Sequence, residues 1–190
     1  FFAMPSFLAG LAAAAIGYGL MTFLMTATPL QIVNVSQFSH EANARVIQWH
    51  VVAMFAPSLF SGSLIAKFGV TRILWAGLAC YVLAVFVAIS GTDFMTYLSA
   101  LILLGLGWNF LFVGGSSVIA SCARPEERGR VQGVADFFIF SFVASASMMS
   151  GIIHNDFGWQ IMMLSALAPI ACVGIALILG KPTVVQKIAD

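Results

Sequence analysis

Two ionisable side chains of this 190-residue chain lie within long apolar stretches, where they could do chemistry. Asp136 follows Arg130 by six residues, and His50 lies near the start of another apolar stretch. Ionisable groups in a membrane-like environment are costly, and they often mark a path for protons or ions. The pKa of an ordinary histidine also lies close to physiological pH. Asp136 and His50 are therefore candidates for proton transfer or for gating.

Each of these two residues also has a structural explanation, which the sequence favours. Asp136 could form an ion pair with Arg128 or Arg130, or interact with the dipole at the N-terminus of its own helix. His50 could be a solvated histidine at the outer surface of a membrane. Both alternatives stay open from the sequence alone.

A second set of side chains lies inside the apolar stretches and is typical of a path for a solute. Its members are Asn109, Trp108, Thr22, Thr26 and Ser147. Asn109 is the strongest candidate, with an interhelical hydrogen bond as an equal alternative. Trp108 could stack on a solute or pack against a neighbouring helix. The two threonines could instead bond carbonyl groups of their own preceding turn.

Several kinds of catalytic site are not indicated by the sequence. The three histidines, His40, His50 and His154, never pair at the spacing of metal ligands, so no metal site is predicted. Residues 115–117 and His154 suggest an intramembrane serine protease, but the G-x-S-x-G motif is absent. A formal net charge of +1 gives no field that would attract nucleic acid. We therefore expect no cofactor and no enzymatic activity.

Six apolar stretches, each long enough to cross a bilayer, follow one another between short polar breaks. A membrane-spanning helix needs roughly 20 mostly apolar residues. Hydrophobic residues make up 61% of the chain and charged residues 8%, against about 25% charged residues in a soluble domain. The alternation typical of a membrane β-barrel is absent. The sequence predicts an all-α polytopic membrane protein, a single domain over 1–190 with spans near 7–31, 46–66, 70–90, 94–120, 131–153 and 159–180.

Polar residues are distributed unevenly over these spans. Spans one, two, four and five carry them, whereas spans three and six are almost entirely apolar. Polar groups in a membrane usually face the bundle interior or a water-filled cavity. We therefore expect spans one, two, four and five to surround a polar passage, with spans three and six as outer supports. Spans one to three and spans four to six thus show the same order, two polar spans followed by an apolar one. This order predicts a 3+3 repeat of the kind found in many transporters. Pro29 is expected to kink or end span one.

Basic residues predict the orientation of the spans. Alternate breaks and the C-terminal tail hold seven of the eight basic residues, and the remaining breaks hold Arg45 alone. Positively charged short loops stay on the cytoplasmic side, so both termini are predicted to be cytoplasmic. The seven are Lys67, Arg72, Arg124, Arg128, Arg130, Lys181 and Lys187. Because the chain begins with Phe1 and not with Met, we also expect it to be part of a longer chain.

The break between spans two and three, residues 62–72, reads GSLIAKFGVTR. It resembles the signature loop of the major facilitator superfamily, with matches at Gly62, Leu64, Lys67, Phe68, Gly69 and Arg72. Ala66 stands where the family has an acidic residue. Residues 103–115, followed by a basic loop with Arg128 and Arg130, resemble helices ten and eleven of bacterial members, and residues 25–30 resemble helix seven. On this resemblance the chain is the C-terminal six-helix half of such a protein.

The resemblance implies a function. Members of that family move small solutes by alternating access, in which two six-helix halves rock around a central site, often with proton coupling. The chain is thus expected to be half of a secondary active transporter, for efflux or uptake, in a bacterial inner membrane. Expected partners are the lipid bilayer, a second six-helix half in the same polypeptide or a second copy, a small-molecule solute and protons. A homodimeric half-size transporter or channel is the alternative, and an intramembrane enzyme is a weaker one.

Overall fold

The computed structural model describes residues 3–182, a bundle of helices. Two residues used in the sequence analysis lie outside the described residues. They are Phe1, from which we expect a longer chain, and Lys187, one of the basic residues that predict the orientation. The helices are α1 (Pro5–Pro29), continued by a π-helix (Leu30–Val35), α2 (His40–Phe55), α3 (Ser58–Phe68), α4 (Val70–Ser90), α5 (Phe94–Ser121), a short 3₁₀-helix (Pro125–Glu127), α6 (Arg128–Ser165) and α7 (Leu167–Gly180). No strand occurs in residues 3–182, and the predicted all-α class is confirmed.

The chain reverses its direction within α6, at Gly158. This residue has φ 79° and ψ 174°, outside the helical region and suited to glycine. Before it, the Ser150 hydroxyl donates to the carbonyl oxygen of Phe23, in the second half of α1, at 2.6 Å. After it, the carbonyl oxygen of Gly180 accepts from Ser6, at the beginning of α1, at 3.0 Å. The segments before and after Gly158 therefore run in opposite directions.

The helices pack in two rows. In the first, which we call the front row, α2 packs against α5, α5 against α1, and α1 against α6. In the second, α4 packs against α5, and α7 packs against α1 and contacts α4. The front row thus contains the helices of spans one, two, four and five, where the sequence places the polar residues. The spans predicted to be outer supports are α4 and the segment from Trp159 through α7, and they form the second row.

One end of the bundle collects basic residues, and we call it the basic end. Val131 packs in an apolar cluster with Phe7 and Ile119, so the first turns of α1 and α6 meet the last turns of α5 there. The Thr71 hydroxyl donates to the carbonyl oxygen of Pro182, which joins the start of α4 to the end of α7. Residues at this end or in its loops include Lys67, Arg72, Arg124, Arg128, Arg130 and Lys181.

The α-helical part of span one ends at Pro29, where the sequence predicted a kink or an end. The span continues beyond it as a π-helix through Val35. Proline lacks an N–H group and cannot make the bond that a regular turn needs, so the turn widens. Short π-helical segments often occur at functional sites. This one carries Gln31 into the bundle, where the side chain is only 4% exposed.

Four helical segments among residues 3–182 are long and apolar enough to cross a membrane, and α2 with α3, bent by 42°, makes a fifth if it is one span. One of the four extends over Pro125–Gly180 and has 56 residues. A straight helix of that length would measure about 84 Å at 1.5 Å per residue, against a hydrocarbon layer of about 30 Å. The reversal at Gly158 divides it into two lengths, each sufficient for one crossing.

Helices α1 and α5 approach each other closely where two glycines, Gly10 and Gly115, face each other. A Cβ atom on Gly115 would lie 2.6 Å from the carbonyl oxygen of Gly10. A Cβ on Gly10 would lie 3.0 Å from the carbonyl oxygen of Gly115. Small residues allow helix backbones in a membrane to approach in this way. The contact holds the two central helices of the front row together.

Candidate functional site

Five aromatic rings from all four helices of the front row meet in one group, which we call the aromatic cluster: Tyr18, Phe55, Trp108, Phe112 and Phe140. The Tyr18 ring makes edge contacts with Trp108, Phe112 and Phe140, at centroid distances of 5.3, 5.2 and 5.7 Å. Trp108 stacks on Phe112 at 5.2 Å and meets the edge of Phe55 at 5.6 Å. Such pairs prefer these offset and edge arrangements. The cluster thus connects α1, α2, α5 and α6.

The aromatic cluster has a buried part and an exposed part. Trp108 is 5% exposed, whereas Phe55 and Phe140 are 56% and 52% exposed. The indole N–H of Trp108 is buried and has no hydrogen-bond partner among residues 3–182. Buried indole N–H groups usually find a partner. Trp108 therefore combines ring packing with a free donor, and the two exposed phenylalanines offer ring surface at the rim.

Asn109, the next residue, lies between α5 and the break that separates α2 from α3. It is completely buried, and its Nδ2 donates to the carbonyl oxygen of Met54 at 2.7 Å and to the Ser58 hydroxyl at 2.5 Å. Pro57 has no N–H group and interrupts the helix there, so carbonyl groups near the break need other donors. The structure thus places Asn109 in the interhelical hydrogen bond that the sequence left as an alternative, and not on an open surface.

His50 is also completely buried, between α2 and α5. Its Nδ1 lies 2.7 Å from the carbonyl oxygen of Leu101, and its Nε2 has no partner among the described residues. The interpretation of His50 as a solvated surface histidine was wrong, because the apolar stretch begins near it but α2 begins ten residues earlier, at His40. The histidine therefore lies inside the bundle.

The hydroxyl candidates Thr22, Thr26 and Ser147 are at least partly exposed. None of the three forms a hydrogen bond within residues 3–182, so the alternative for Thr22 and Thr26, a bond to their own preceding turn, is not present. That role belongs to Thr28, whose buried hydroxyl donates to the carbonyl oxygen of Leu24 at 2.8 Å. The three hydroxyls therefore remain free for water, a solute or another part of the protein.

Asp136 lies on α6, half-buried, and accepts a hydrogen bond from Nε2 of Gln132 at 2.9 Å. The ion pair with Arg128 or Arg130 that the sequence favoured is not formed. In the described part of the chain, ion pairs join Arg45 to Glu41 at 2.6 Å and, in the basic loop, Arg124 to Glu127 at 3.6 Å. Asp136 is therefore a carboxylate without a cationic partner in residues 3–182.

The loop that resembles the family signature is a tight connection at the basic end. Gly69, with φ 84°, is the single residue between α3 and α4, and other residues rarely adopt this conformation. The ammonium group of Lys67 lies 5.3 Å from the centroid of the Phe68 ring, a cation–π contact. Gly62, Arg72, Arg128 and Arg130 are exposed.

Sequence reasoning missed a hydrogen-bonded group at the end opposite to the basic end. Gln31 donates from Nε2 to the Tyr97 hydroxyl at 3.0 Å, and its Oε1 lies 3.1 Å from Nε2 of His154. Ser36 lies 2.7 Å from the same tyrosine hydroxyl. An open cavity of about 620 Å³, lined by Gln31, His154 and Trp159 among others, borders this group. The polar Gln31 at the end of a span after Pro29 was the signal that could have found it.

Known proteins resemble this chain closely enough to establish its family. It is 41% identical over 175 residues to the riboflavin transporter RfnT of Brucella anthropi, a match that covers 92% of this chain and 44% of that protein. It is 33% identical over 148 residues to YddS of Bacillus subtilis, an uncharacterized MFS-type transporter, over 77% of this chain and 34% of that protein. The chain belongs to the major facilitator superfamily. The predicted resemblance is thereby confirmed.

A more distant relative is the riboflavin transporter RibZ of Clostridioides difficile, 26% identical over 152 residues, which are 76% of this chain and 33% of that protein. No protein-family model matches the chain. The chain spans less than half the length of these relatives. All three are named as transporters and not as enzymes, in agreement with the prediction that the chain is not an enzyme. Together with the apolar helices, they identify an integral membrane protein.

Proposed function

We propose that this chain forms one six-helix half of a secondary transporter, which moves a small solute across a membrane by alternating access. The observation that supports this most directly is the front row of helices. On it, the free hydroxyls of Thr22, Thr26 and Ser147 accompany the exposed rings of Phe55 and Phe140. Exposing unpaired polar groups to lipid costs free energy, because lipid offers them no hydrogen-bond partner. A second bundle across an aqueous passage would give these groups suitable surroundings.

Six membrane crossings fit the path of the chain. The crossings are α1 with its π-helix, α2 with α3, α4, α5, α6 up to Gly158, and the segment from there to Gly180. Both ends of this path lie at the basic end, whereas Arg45 lies on α2 at the opposite end, in an ion pair with Glu41. By the bias of positive residues toward the cytoplasm, the basic end is cytoplasmic. The named relatives come from bacteria, which supports a location in the inner membrane.

The second half is proposed to belong to the same polypeptide. The relatives are more than twice as long as the part that this chain matches. Because the loop at residues 62–72 lacks the acidic residue of the family signature, at Ala66, we assign the chain to the C-terminal half. In this arrangement the front row faces the N-terminal half, and α4 and α7 face lipid.

Riboflavin is the first solute to consider, since two relatives are named for its transport. The test is transport by the complete protein, purified and reconstituted in proteoliposomes. We expect saturable riboflavin movement above that of liposomes without protein. A folded, correctly inserted protein that moves neither riboflavin nor any member of a panel of small solutes would overturn the proposed function.

Alternating access has its own test, in the complete protein with the chain's Cys80, Cys122 and Cys172 replaced by serine. We expect Thr26→Cys to react with a membrane-impermeant thiol reagent from one side at a time, in proportions that change when solute is added. The matched control is Thr28→Cys, which is completely buried and should not react. Equal reaction from both sides without solute would indicate a channel.

A further inference from the structure

We propose that the aromatic cluster is a binding platform for a planar aromatic ring system, and that it selects the class of solute which the transporter accepts. This inference rests on the proposed function, because the platform is placed on the surface that would line the transport passage.

The cluster lies deep in the bundle, near the middle of its helices. Tyr18, Trp108 and Phe140 follow the first residues of α1, α5 and α6 by 13, 14 and 12 residues. Phe55 is the last residue of α2, midway along the bent pair that extends from His40 to Phe68. All four residues thus lie near the middle of their crossings. Solute sites in secondary transporters lie near the midplane of the bilayer.

Two hydrogen-bonding groups at this depth have no partner among the described residues. Tyrosine and tryptophan in membrane proteins are typical of the interfaces, where their polar atoms reach water. Here the Trp108 indole N–H is buried without a partner, and the half-buried Tyr18 hydroxyl forms no hydrogen bond among the described residues. In hydrocarbon both groups would be unsatisfied. A ligand with acceptor atoms at its edge would satisfy the Tyr18 hydroxyl, which is not fully buried.

Phe55 and Phe140 offer exposed ring surface. Each is about half exposed while its ring also contacts the buried part of the cluster, Phe55 on Trp108 and Phe140 on Tyr18. The contacts with Trp108 and Tyr18 therefore hold the two phenylalanine rings in position. Heteroaromatic bases stack favourably on such side chains, whatever the base. A ring with π-faces and acceptor atoms on its edge matches both features of the site.

Binding experiments on the complete protein can separate the ring from the rest of a solute. Lumichrome, a neutral planar tricyclic heteroaromatic compound, serves as the probe for the ring, and ribitol as a probe without one. We expect lumichrome to bind and to compete with transported solute, and ribitol to do neither. Binding of ribitol but not of lumichrome would overturn the inference.

Substitutions then locate the binding. Phe55→Leu and Phe140→Leu should each weaken lumichrome binding about tenfold, as expected for the loss of one stacking surface. Tyr18→Phe removes only a hydroxyl and should weaken it a few-fold. The controls are Phe60→Leu and Phe137→Leu, which change phenylalanines that are 64% and 69% exposed and outside the cluster. They should bind as the wild type does.

The outcomes distinguish this inference from the proposed function. If Phe55→Leu and Phe140→Leu remain monodisperse and keep wild-type lumichrome affinity and solute KM, the cluster is a packing contact and the inference fails, while the transporter assignment stands. If the folded wild-type protein transports nothing, the proposed function itself fails. Loss of lumichrome affinity in the two variants, with wild-type melting temperatures, supports the platform.

Discussion

Asn109 Nδ2 donates a hydrogen bond to the carbonyl oxygen of Met54 at 2.7 Å, and thereby joins α5 to the break between α2 and α3. The two residues are 55 positions apart in the sequence. Because the helix is interrupted at Pro57, this carbonyl lies where regular helical bonding is lost. The Asn109 side chain therefore replaces the backbone N–H donor that a regular helix would supply to the Met54 carbonyl. Lipid could not supply such a donor.

Replacing Asn109 by Leu should destabilise the protein by about 1 kcal/mol, because the Met54 carbonyl then loses a donor in an apolar environment. The measurement is thermal unfolding of the complete protein in detergent. Ser116→Ala on the same helix is the control, since the Ser116 hydroxyl is buried without a partner in residues 3–182 and its loss should cost little. An unchanged melting temperature for Asn109→Leu together with lost transport would instead restore Asn109 as a pathway residue.

Replacing Gly115 by Ala should separate α1 from α5. The added Cβ would lie 2.6 Å from the Gly10 carbonyl oxygen, so the backbones must move. Forcing extra atoms into a packed core costs typically about 1–3 kcal/mol. We expect a clear fall in melting temperature or in folded yield. Gly133→Ala, on α6 with open space around it, makes the same chemical change and should not lower either quantity.

Apolar length made the positions of the long apolar helices predictable, because a helix that crosses lipid needs a continuous run of apolar residues. The break expected between residues 153 and 159 contains Gly158, where the chain reverses. The grouping of helices into the front row and the outer pair also followed from the distribution of polar residues. Both features follow from whether each stretch of residues favours lipid or water. They can therefore be predicted from the local sequence.

The partners of the polar side chains were not predictable in the same way. His50 was predicted at the surface because the apolar stretch begins near it. The first turns of α2, from His40 onward, are polar and were not recognised as part of the helix. Asn109 finds its acceptor only because Pro57 breaks a helix far away in the sequence. The aromatic cluster joins rings from separate helices, whose rotation about their axes is set by packing and not by any local pattern.

Asp136 should matter for coupling if protons drive transport, since it is half-buried and accepts from Gln132 without a cationic partner in the described residues. Asp136→Asn removes the ionisable group and keeps the shape. We expect uptake into proteoliposomes to lose its dependence on an imposed pH gradient, while equilibrium binding of the solute is kept. Unchanged gradient dependence would remove Asp136 from the coupling mechanism.

Asp93 caps the N-terminus of α5 and should make stability depend on acid pH. Its Oδ2 accepts from the Thr96 hydroxyl at 2.6 Å, and its Oδ1 accepts from the backbone N–H groups of Met95 and Thr96. The Thr96 side chain, followed by these N–H groups, lowers the pKa of Asp93 below its ordinary value of 3.8.

A lowered folded-state pKa means that the stabilisation is present above the unfolded-state value and is lost as pH falls through the folded-state value. Asp93→Ala should therefore melt at a lower temperature than the wild type at pH 7, and the difference should shrink below pH 3.8. Thermal unfolding across this range provides the measurement. A difference that stays constant with pH would show that the carboxylate's charge has no part in the cap.

Tyr97 should hold the π-helix in place at the end opposite to the basic end. Its hydroxyl accepts from Gln31 at 3.0 Å and lies 2.7 Å from Ser36 Oγ, so Tyr97→Phe removes two contacts and retains the ring. We expect faster amide hydrogen exchange in Leu30–Val35, because local opening there becomes less costly. Tyr18→Phe removes a hydroxyl that has no partner among residues 3–182, and exchange in the π-helix should not change. Equal exchange in Tyr97→Phe and the wild type would mean that Pro29 and backbone bonding alone maintain the wide turn.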